Sequence, residues 1–169
     1  DAMENRRILA RRIELHDALK ADVEASSKLL SQGVTTFPDS LKQLNFGIIP
    51  LNTSAYETAR AAQVIPLLDL EMASALARMH EIIRINRALE NAMRDAAYTL
   101  DYYAIFQSEQ QGTSPSEAAL AQSFNAFINV GNALSDMVRN ERGLHRSFGQ
   151  LLHRLRADGI AVDTTAGAL

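Results

Sequence analysis

Apolar residues recur along most of the chain every three or four positions, which is the period of an α-helix. Segments in which β-branched and polar residues alternate between turn dipeptides, which would predict strands, are nearly missing. The periodic segments are rich in Ala, Leu, Arg, Glu and Gln, and these residues favour helix. The pattern therefore predicts an all-α fold.

Periodicity and end signals together predict four helices. Asp69 is the expected N-cap of the third helix, and Ser54 and Glu57 have the spacing of a capping box at the start of the second. The segment between the first two helices is apolar, so we expect it to pack on the other helices rather than act as a flexible tether. The predicted helices cover about residues 3–32, 54–63, 69–111 and 115–158.

The sharpest local signal is the sequence Gly-Thr-Ser-Pro-Ser-Glu at 112–117. Gly112 suits the left-handed conformation that ends a helix. Ser114, Pro115 and Glu117 suit the cap, the first position and the capping box of the next helix. So short a connection predicts that the third and fourth helices fold back on each other. The expected architecture is an antiparallel bundle built on this long hairpin, forming a single domain over 1–158 with a disordered tail at 159–169.

Each long helix carries a predicted core stripe, and polar residues are expected on its other faces. The stripe of the first helix is Ile8, Leu15, Leu19, Val23 and Leu30, widened by Leu9 and Ile13, with Arg6, Arg7, Arg11 and Arg12 on the outer faces. The third helix has two ladders, Ile82, Leu89, Ala96, Tyr103 and Asn86, Met93, Leu100. The stripe of the fourth helix, called the seam below, is Leu120, Phe124, Phe127, Gly131, Leu134, Val138, Glu141, His145, Phe148, Leu152 and Leu155.

Composition removes several classes of function. The formal net charge is −3, so the chain has no global field that would attract nucleic acid. The absence of cysteine excludes disulfides and thiolate metal sites. Neither a nucleophile elbow nor a glycine-rich phosphate loop is present. The sequence therefore predicts a protein that is not an enzyme and needs no cofactor.

Two polar residues, Glu141 and His145, interrupt the seam and lie on one helix face at a spacing of four. One interpretation is a metal site inside the bundle, although di-iron bundles use a Glu-x-x-His spacing on two helices. The other is a hydrogen-bonded pair at the end of the seam, because buried charges persist when they are paired. Asn86 likewise interrupts a ladder of the third helix, where it either fixes the register of the helices or contacts a ligand.

Basic residues flank the end of the seam, and aromatic residues gather near the hairpin tip. The basic set could meet anionic lipid head groups or an acidic partner together with the arginines of the first helix, or it forms a solvated face with salt-bridge partners. The aromatic set either closes the bundle or contacts a second copy. The basic set is Arg139, Arg142, Arg146, His153 and Arg156, and the aromatic set is Tyr98, Tyr102, Tyr103 and Phe106.

The sequence Asn-Thr-Ser-Ala-Tyr-Glu-Thr-Ala-Arg at 52–60, followed by 76–86 and Leu89, resembles a pattern in uncharacterised bacterial proteins. Those proteins have one N-terminal transmembrane helix followed by a helical extracytoplasmic domain. Tyr56 stands where Trp is commoner in the pattern, and His80 where Tyr is commoner. The resemblance implies a periplasmic domain tethered to the inner membrane through a segment outside this sequence. It implies no activity and no catalytic residue.

These observations predict a non-enzymatic structural, interaction or sensory domain that binds a protein or associates with itself. The alternative is a metal-binding four-helix-type bundle that uses Glu141 and His145. A third hypothesis is a cytoplasmic regulatory bundle that dimerises through the hairpin.

Overall fold

The protein is a bundle of helices in a computed structural model that describes residues 2–32, 50–99, 112 and 116–160. Within these ranges the regular structure is entirely helical, which confirms the predicted fold class. Residues 161–169 of the predicted tail, and residues 33–49, which make up most of the apolar segment, lie outside the described residues, as do Tyr102, Tyr103 and Phe106. The helices are α1 (Ala2–Ser31), α2 (Ser54–Ala61), a short 3-10 helix (Ile65–Leu67), α3 (Leu70–Thr99) and α4 (Glu117–Ala157).

The chain forms two compact units. Unit 1 consists of Asp1–Glu14, Ile48–Arg87 and Arg139–Leu169, and unit 2 consists of Leu15–Gly47 and Ala88–Val138. The core of unit 1 combines Leu9, Leu51, Met79, Ile83, Leu144 and Phe148. The core of unit 2 combines Val23, Met93, Ala126, Phe127, Val130, Leu134 and Met137. The single domain over 1–158 stays a prediction.

Within unit 1, contacts fix the directions of the long helices. Asp69, just before α3, binds Arg154 near the end of α4 at 3.1 Å. Further along α3, Asn86 binds Asn140, which lies earlier in α4, at 2.8 Å. The two helices therefore run antiparallel, as the hairpin predicts.

The helix starts confirm one predicted cap and correct two. Asp69 accepts a 2.9 Å hydrogen bond from the Met72 N–H, as expected of an N-cap. The start of α2 has no Ser54–Glu57 capping box, because Ser54 is already helical and its N–H donates to Asn52 Oδ1 at 3.0 Å. The start of α4 is capped two residues later than predicted.

At that start, Ser116 Oγ accepts a hydrogen bond of 3.2 Å from the Ala119 N–H. The cap is therefore Ser116, since the described helix begins at Glu117, whereas the predicted positions Ser114 and Pro115 lie outside the described residues. Serine occupies both positions, so the sequence alone offers two equivalent caps.

Left-handed residues follow the helices, as C-terminal motifs require. Gly159 has φ +74° after α4, and Gly112 has φ +63° where the turn was predicted. After α2 the same role falls to Gln63, with φ +56°, although it carries a side chain. The Val64 N–H then donates to the Ala59 carbonyl at 2.8 Å, which closes the motif and stops α2 before the predicted residue 63.

The buried face of α1 differs from the predicted stripe. Leu15 is 49% exposed, whereas Arg12 is only 3% exposed. The prediction that Arg12 lies on an outer face is therefore wrong. The buried positions of α1 are three or four residues apart, except for a step of seven between His16 and Val23, and they include polar as well as apolar side chains: Asn5, Leu9, Arg12, His16, Val23 and Ser26.

The buried faces of α3 and α4 are wider than the predicted stripes. Ile82 and Leu89 are only partly buried, while Met79 and Ile83 are core residues. In α4, Val130, Met137 and Leu144 join the seam residues in the core, since a helix that packs in a bundle buries a broader stripe than a two-stranded seam. In the described part of the chain, no helix is long and apolar enough to cross a membrane.

Candidate functional site: a buried ion pair and a basic cleft

A buried ion pair joins α1 to α4 in unit 1. Arg12 Nε donates to Glu141 Oε1 at 2.7 Å, and Arg12 Nη2 reaches the same oxygen at 2.7 Å. Their side chains are 4% and 0% exposed. Glu141 interrupts the seam because it accepts from a guanidinium that α1 buries opposite it.

This arrangement bears on the predicted metal site. Two N–H groups of the Arg12 guanidinium already bind Glu141 Oε1. Glu81 on α3 is exposed and binds Arg84 at 2.6 Å, so it is not a ligand that completes a site with Glu141. Among residues 2–32, 50–99 and 116–160, no group of three or more His, Asp or Glu side chains is arranged to hold a metal ion. Within these ranges, Glu141 and His145 therefore belong to no such group.

Asn86 forms a second polar contact, between α3 and α4. Its Oδ1 accepts from Asn140 Nδ2 at 2.8 Å, and the Asn86 side chain is buried. Its Nδ2 has no hydrogen-bond partner among the described residues. The Asn86 amide can bind Asn140 only when α3 and α4 are in this alignment. Such a contact is suited to fixing the register of two helices, which is the first of the two roles predicted for Asn86.

The segment before α2 is also anchored by polar contacts within unit 1. Asn5 Nδ2 donates to the Asn52 carbonyl at 2.8 Å, and the Asn52 N–H donates to Asn5 Oδ1 at 2.8 Å. The ring of Tyr56 stacks on that of His80, with centroids 4.4 Å apart. These contacts hold α2 against α1 and α3.

An open cleft of about 310 Å³ lies between the start of α1 and the end of α4. A neighbouring cavity of about 470 Å³ shares Arg6, His145, Gly149 and His153 with it and adds Arg146. Of the described residues that line the cleft, none is acidic. Its ionisable residues are Arg6, Arg7, His145, His153 and Arg156.

Arg6 lies at the centre of this cleft. Its Cζ, Nε and Nη2 atoms lie 3.7, 3.8 and 3.9 Å from the point where a Cβ atom on Gly149 would stand. The guanidinium therefore lies beside α4 at the position where Gly149 has no side chain. Arg6 has no hydrogen-bond or ion-pair partner among the described residues, whereas Arg7 binds Glu4 at 3.0 Å. The donors of Arg6 remain available to a ligand.

His145 forms one wall of the cleft and is half-buried. Burial lowers the pKa of His145 below its ordinary value of 6.5, and the positive charge of Arg6 lowers it further. Both effects favour the neutral imidazole. An anion in the cleft would offset the second effect, so the protonation of His145 would report on a bound charge.

The basic residues that the sequence singled out separate into two groups. Arg146, His153 and Arg156 line the cavities together with Arg6 and Arg7 of the first helix. Arg139 and Arg142 lie outside the residues that line them. Sequence reasoning did not pair Arg6 with Gly149, although the small residue on a basic face of α4 is the signal that could have done so.

Comparison of the chain with models of protein families, with curated proteins and with solved structures found no match.

Proposed function

We propose that this chain is an interaction domain without catalytic activity of its own, and that the basic cleft is its recognition surface. The observation that carries the proposal is the convergence of Arg6, His153 and Arg156 on one open cleft with no acidic residue among its described lining. Elsewhere in unit 1, Arg12 and Arg154 bind carboxylates at 2.7 and 3.1 Å. A cluster of positive charge without internal partners favours an anionic partner.

The proposal includes a location. The resemblance at 52–60 and 76–89 supports a periplasmic domain that a segment outside this sequence tethers to the inner membrane. We expect the full-length protein to be isolated with the membrane fraction. We also expect a protease to reach unit 1 from the periplasmic side only. Accessibility from the cytoplasmic side would favour the regulatory-bundle hypothesis instead.

Site-specific photo-cross-linking in intact cells tests the recognition surface. Ala10 lines the cleft and is exposed, whereas Ala77 is exposed on α3 of the same unit and does not line it. We expect a photoreactive residue at position 10, in protein expressed at its native level, to give a discrete adduct that is missing at position 77. Mass analysis of the adduct then identifies the class of the partner.

A charge-reversed variant completes this test. Arg6→Glu combined with Arg156→Glu should abolish the adduct at position 10, because it turns the attraction of the cleft for an anion into repulsion. Arg78→Glu, on an exposed position of α3, should leave the adduct unchanged. An adduct that persists in the double variant would show that the cleft is not the recognition surface.

A further inference from the structure

The basic cleft of unit 1 has a chemistry that narrows its ligand. We propose that it binds a phosphate group, with Arg6, His153 and Arg156 as the residues that contact it. This inference rests on the proposed function, since it names the anion that the recognition surface takes.

The arrangement of donors favours phosphate over carboxylate. Arg6 comes from α1, while His153 and Arg156 come from α4 on the other side of the cleft. Three donors from two helices match a tetrahedral group with several unbridged oxygens better than a planar group with two oxygens. Arg7 also lines the cleft, but its ion pair with Glu4 at 3.0 Å offsets its charge, so the three residues named above carry the site.

The position of Arg6 prepares the cleft for binding. Its guanidinium lies 3.7–3.9 Å from the point where a Cβ atom on Gly149 would stand, so the missing side chain leaves it a place beside α4 that limits its orientations. A donor that is already oriented loses less conformational entropy when a ligand arrives. At about 310 Å³ the cleft also has room for the atoms that a phosphate ester carries.

Exposed apolar residues at the same end of α4 as the cleft favour a lipid head group as the source of the phosphate. Leu67 and Leu70 are 82% and 83% exposed. They flank Asp69, which binds Arg154 at 3.1 Å, two positions before Arg156 of the cleft. Basic residues and exposed leucines thus share one end of unit 1, a combination that suits contact with an anionic bilayer.

Titration with inorganic phosphate, followed by NMR of the imidazole protons, tests the chemistry. We expect the signals of His145 and His153 to shift saturably, while that of His80 stays unchanged. Arg6→Gln should weaken the binding about tenfold, the loss expected for one charge-assisted contact. Arg78→Gln removes the same charge from an exposed position on α3 and should leave the affinity unchanged. Equal affinities in Arg6→Gln and the native chain would overturn the proposal.

Sedimentation with phosphatidylcholine vesicles, with and without phosphatidylglycerol, distinguishes the sources. Binding only to the anionic vesicles, reduced by Arg6→Gln and by Leu67→Ser with Leu70→Ser, supports a lipid head group. Phosphate binding without vesicle binding also supports the site and identifies a soluble phosphate ester as its source. If neither probe binds and the adduct at position 10 is an acidic protein, the phosphate site is refuted while the interaction domain stands.

Discussion

Arg12 directs both Nε and Nη2 at a single carboxylate oxygen of Glu141, at 2.7 Å each. The two residues are 129 positions apart in sequence, and both are buried. An ionised group without its partner is costly to bury, so each makes the burial of the other possible. The pair therefore specifies how α1 lies on α4 more than it adds to the free energy of unfolding.

A double-mutant cycle should show this asymmetry. Arg12→Met removes the guanidinium from the buried Glu141 carboxylate and should lower the free energy of unfolding by about 3–5 kcal/mol. Adding Glu141→Leu should recover most of the loss, because an apolar pair of similar volume replaces the ion pair. Urea unfolding followed by circular dichroism measures both values.

The exposed pair of Arg84 and Glu81 supplies the control for this cycle. Arg84→Met should leave the unfolding midpoint nearly unchanged, because water solvates Glu81 when its partner is removed. If Arg12→Met were equally harmless, Glu141 would have another means of compensation in the core, and the account of the pair would be wrong.

The contact between Asn86 and Asn140 predicts that substitutions of the two residues change the free energy of unfolding in opposite directions. Asn140→Ala would leave the buried Asn86 amide without a partner and should lower the free energy of unfolding by about 1–3 kcal/mol. Asn86→Leu removes a buried amide whose Nδ2 already has no partner among the described residues, and should raise that free energy by up to about 1 kcal/mol.

Thermal and urea unfolding of the two variants measure these effects. The half-buried Asn140 can turn toward water in Asn86→Leu, which makes that variant the less costly of the two. A large decrease in the free energy of unfolding of Asn86→Leu would contradict this prediction. It would show that the Asn86 amide makes a further contact besides its hydrogen bond to Asn140, for example with ordered water.

The helical fold followed from the sequence because periodicity and end signals are local properties. The Asp69 cap and the left-handed Gly112 are read within a few residues, and both are confirmed. The buried face of α1 could not be predicted from its hydrophobic residues alone, because the charged residue Arg12 takes a core position in it. Its burial depends on Glu141 on another helix, and such long-range pairing has no local signal.

The site was predictable only in part for the same reason. The arginines and histidines of α4 were singled out as a basic set, but a helical spacing does not show which of them face α1. The division of that set, with Arg156 in the cleft and Arg139 outside its lining, depends on how the two helices pack. Glu141 and His145 have different surroundings, because Arg12 of α1 binds Glu141 whereas Arg6 of α1 acts on His145. Neither arginine could be assigned to its partner from sequence spacing.

The lowered pKa of His145 predicts a dependence of stability on pH. Since the folded chain holds this proton less tightly than the unfolded chain, stability is fully present above the ordinary value of 6.5 and is lost as the pH falls toward the lowered pKa. His145→Gln, which cannot titrate, should remove this part of the dependence between about pH 7 and pH 5. Urea unfolding at the two pH values measures the difference.

The Arg6 contribution to this pKa can be measured separately. Arg6→Gln should raise the pKa of His145 without restoring it fully, because burial is the larger cause and remains. An NMR titration of the imidazole signal gives the value, with Arg78→Gln as the matched control for loss of charge. An unchanged pKa in Arg6→Gln would show that the guanidinium does not face His145 in solution.

The end of α2 offers the most direct gain in stability. Gln63 adopts φ +56° in a motif that usually holds glycine, and a residue with a Cβ atom is strained there. Gln63→Gly should raise the free energy of unfolding by about 0.5–1 kcal/mol, since the relief of strain exceeds the added entropy of the unfolded chain.

Gly159 occupies the same position after α4, with φ +74°, so Gly159→Ala should lower the free energy of unfolding by about 1 kcal/mol. Opposite shifts of the thermal midpoint in the two variants are the expected result, and a loss in Gln63→Gly would mean that the Gln63 side chain stabilises the turn by more than the strain costs.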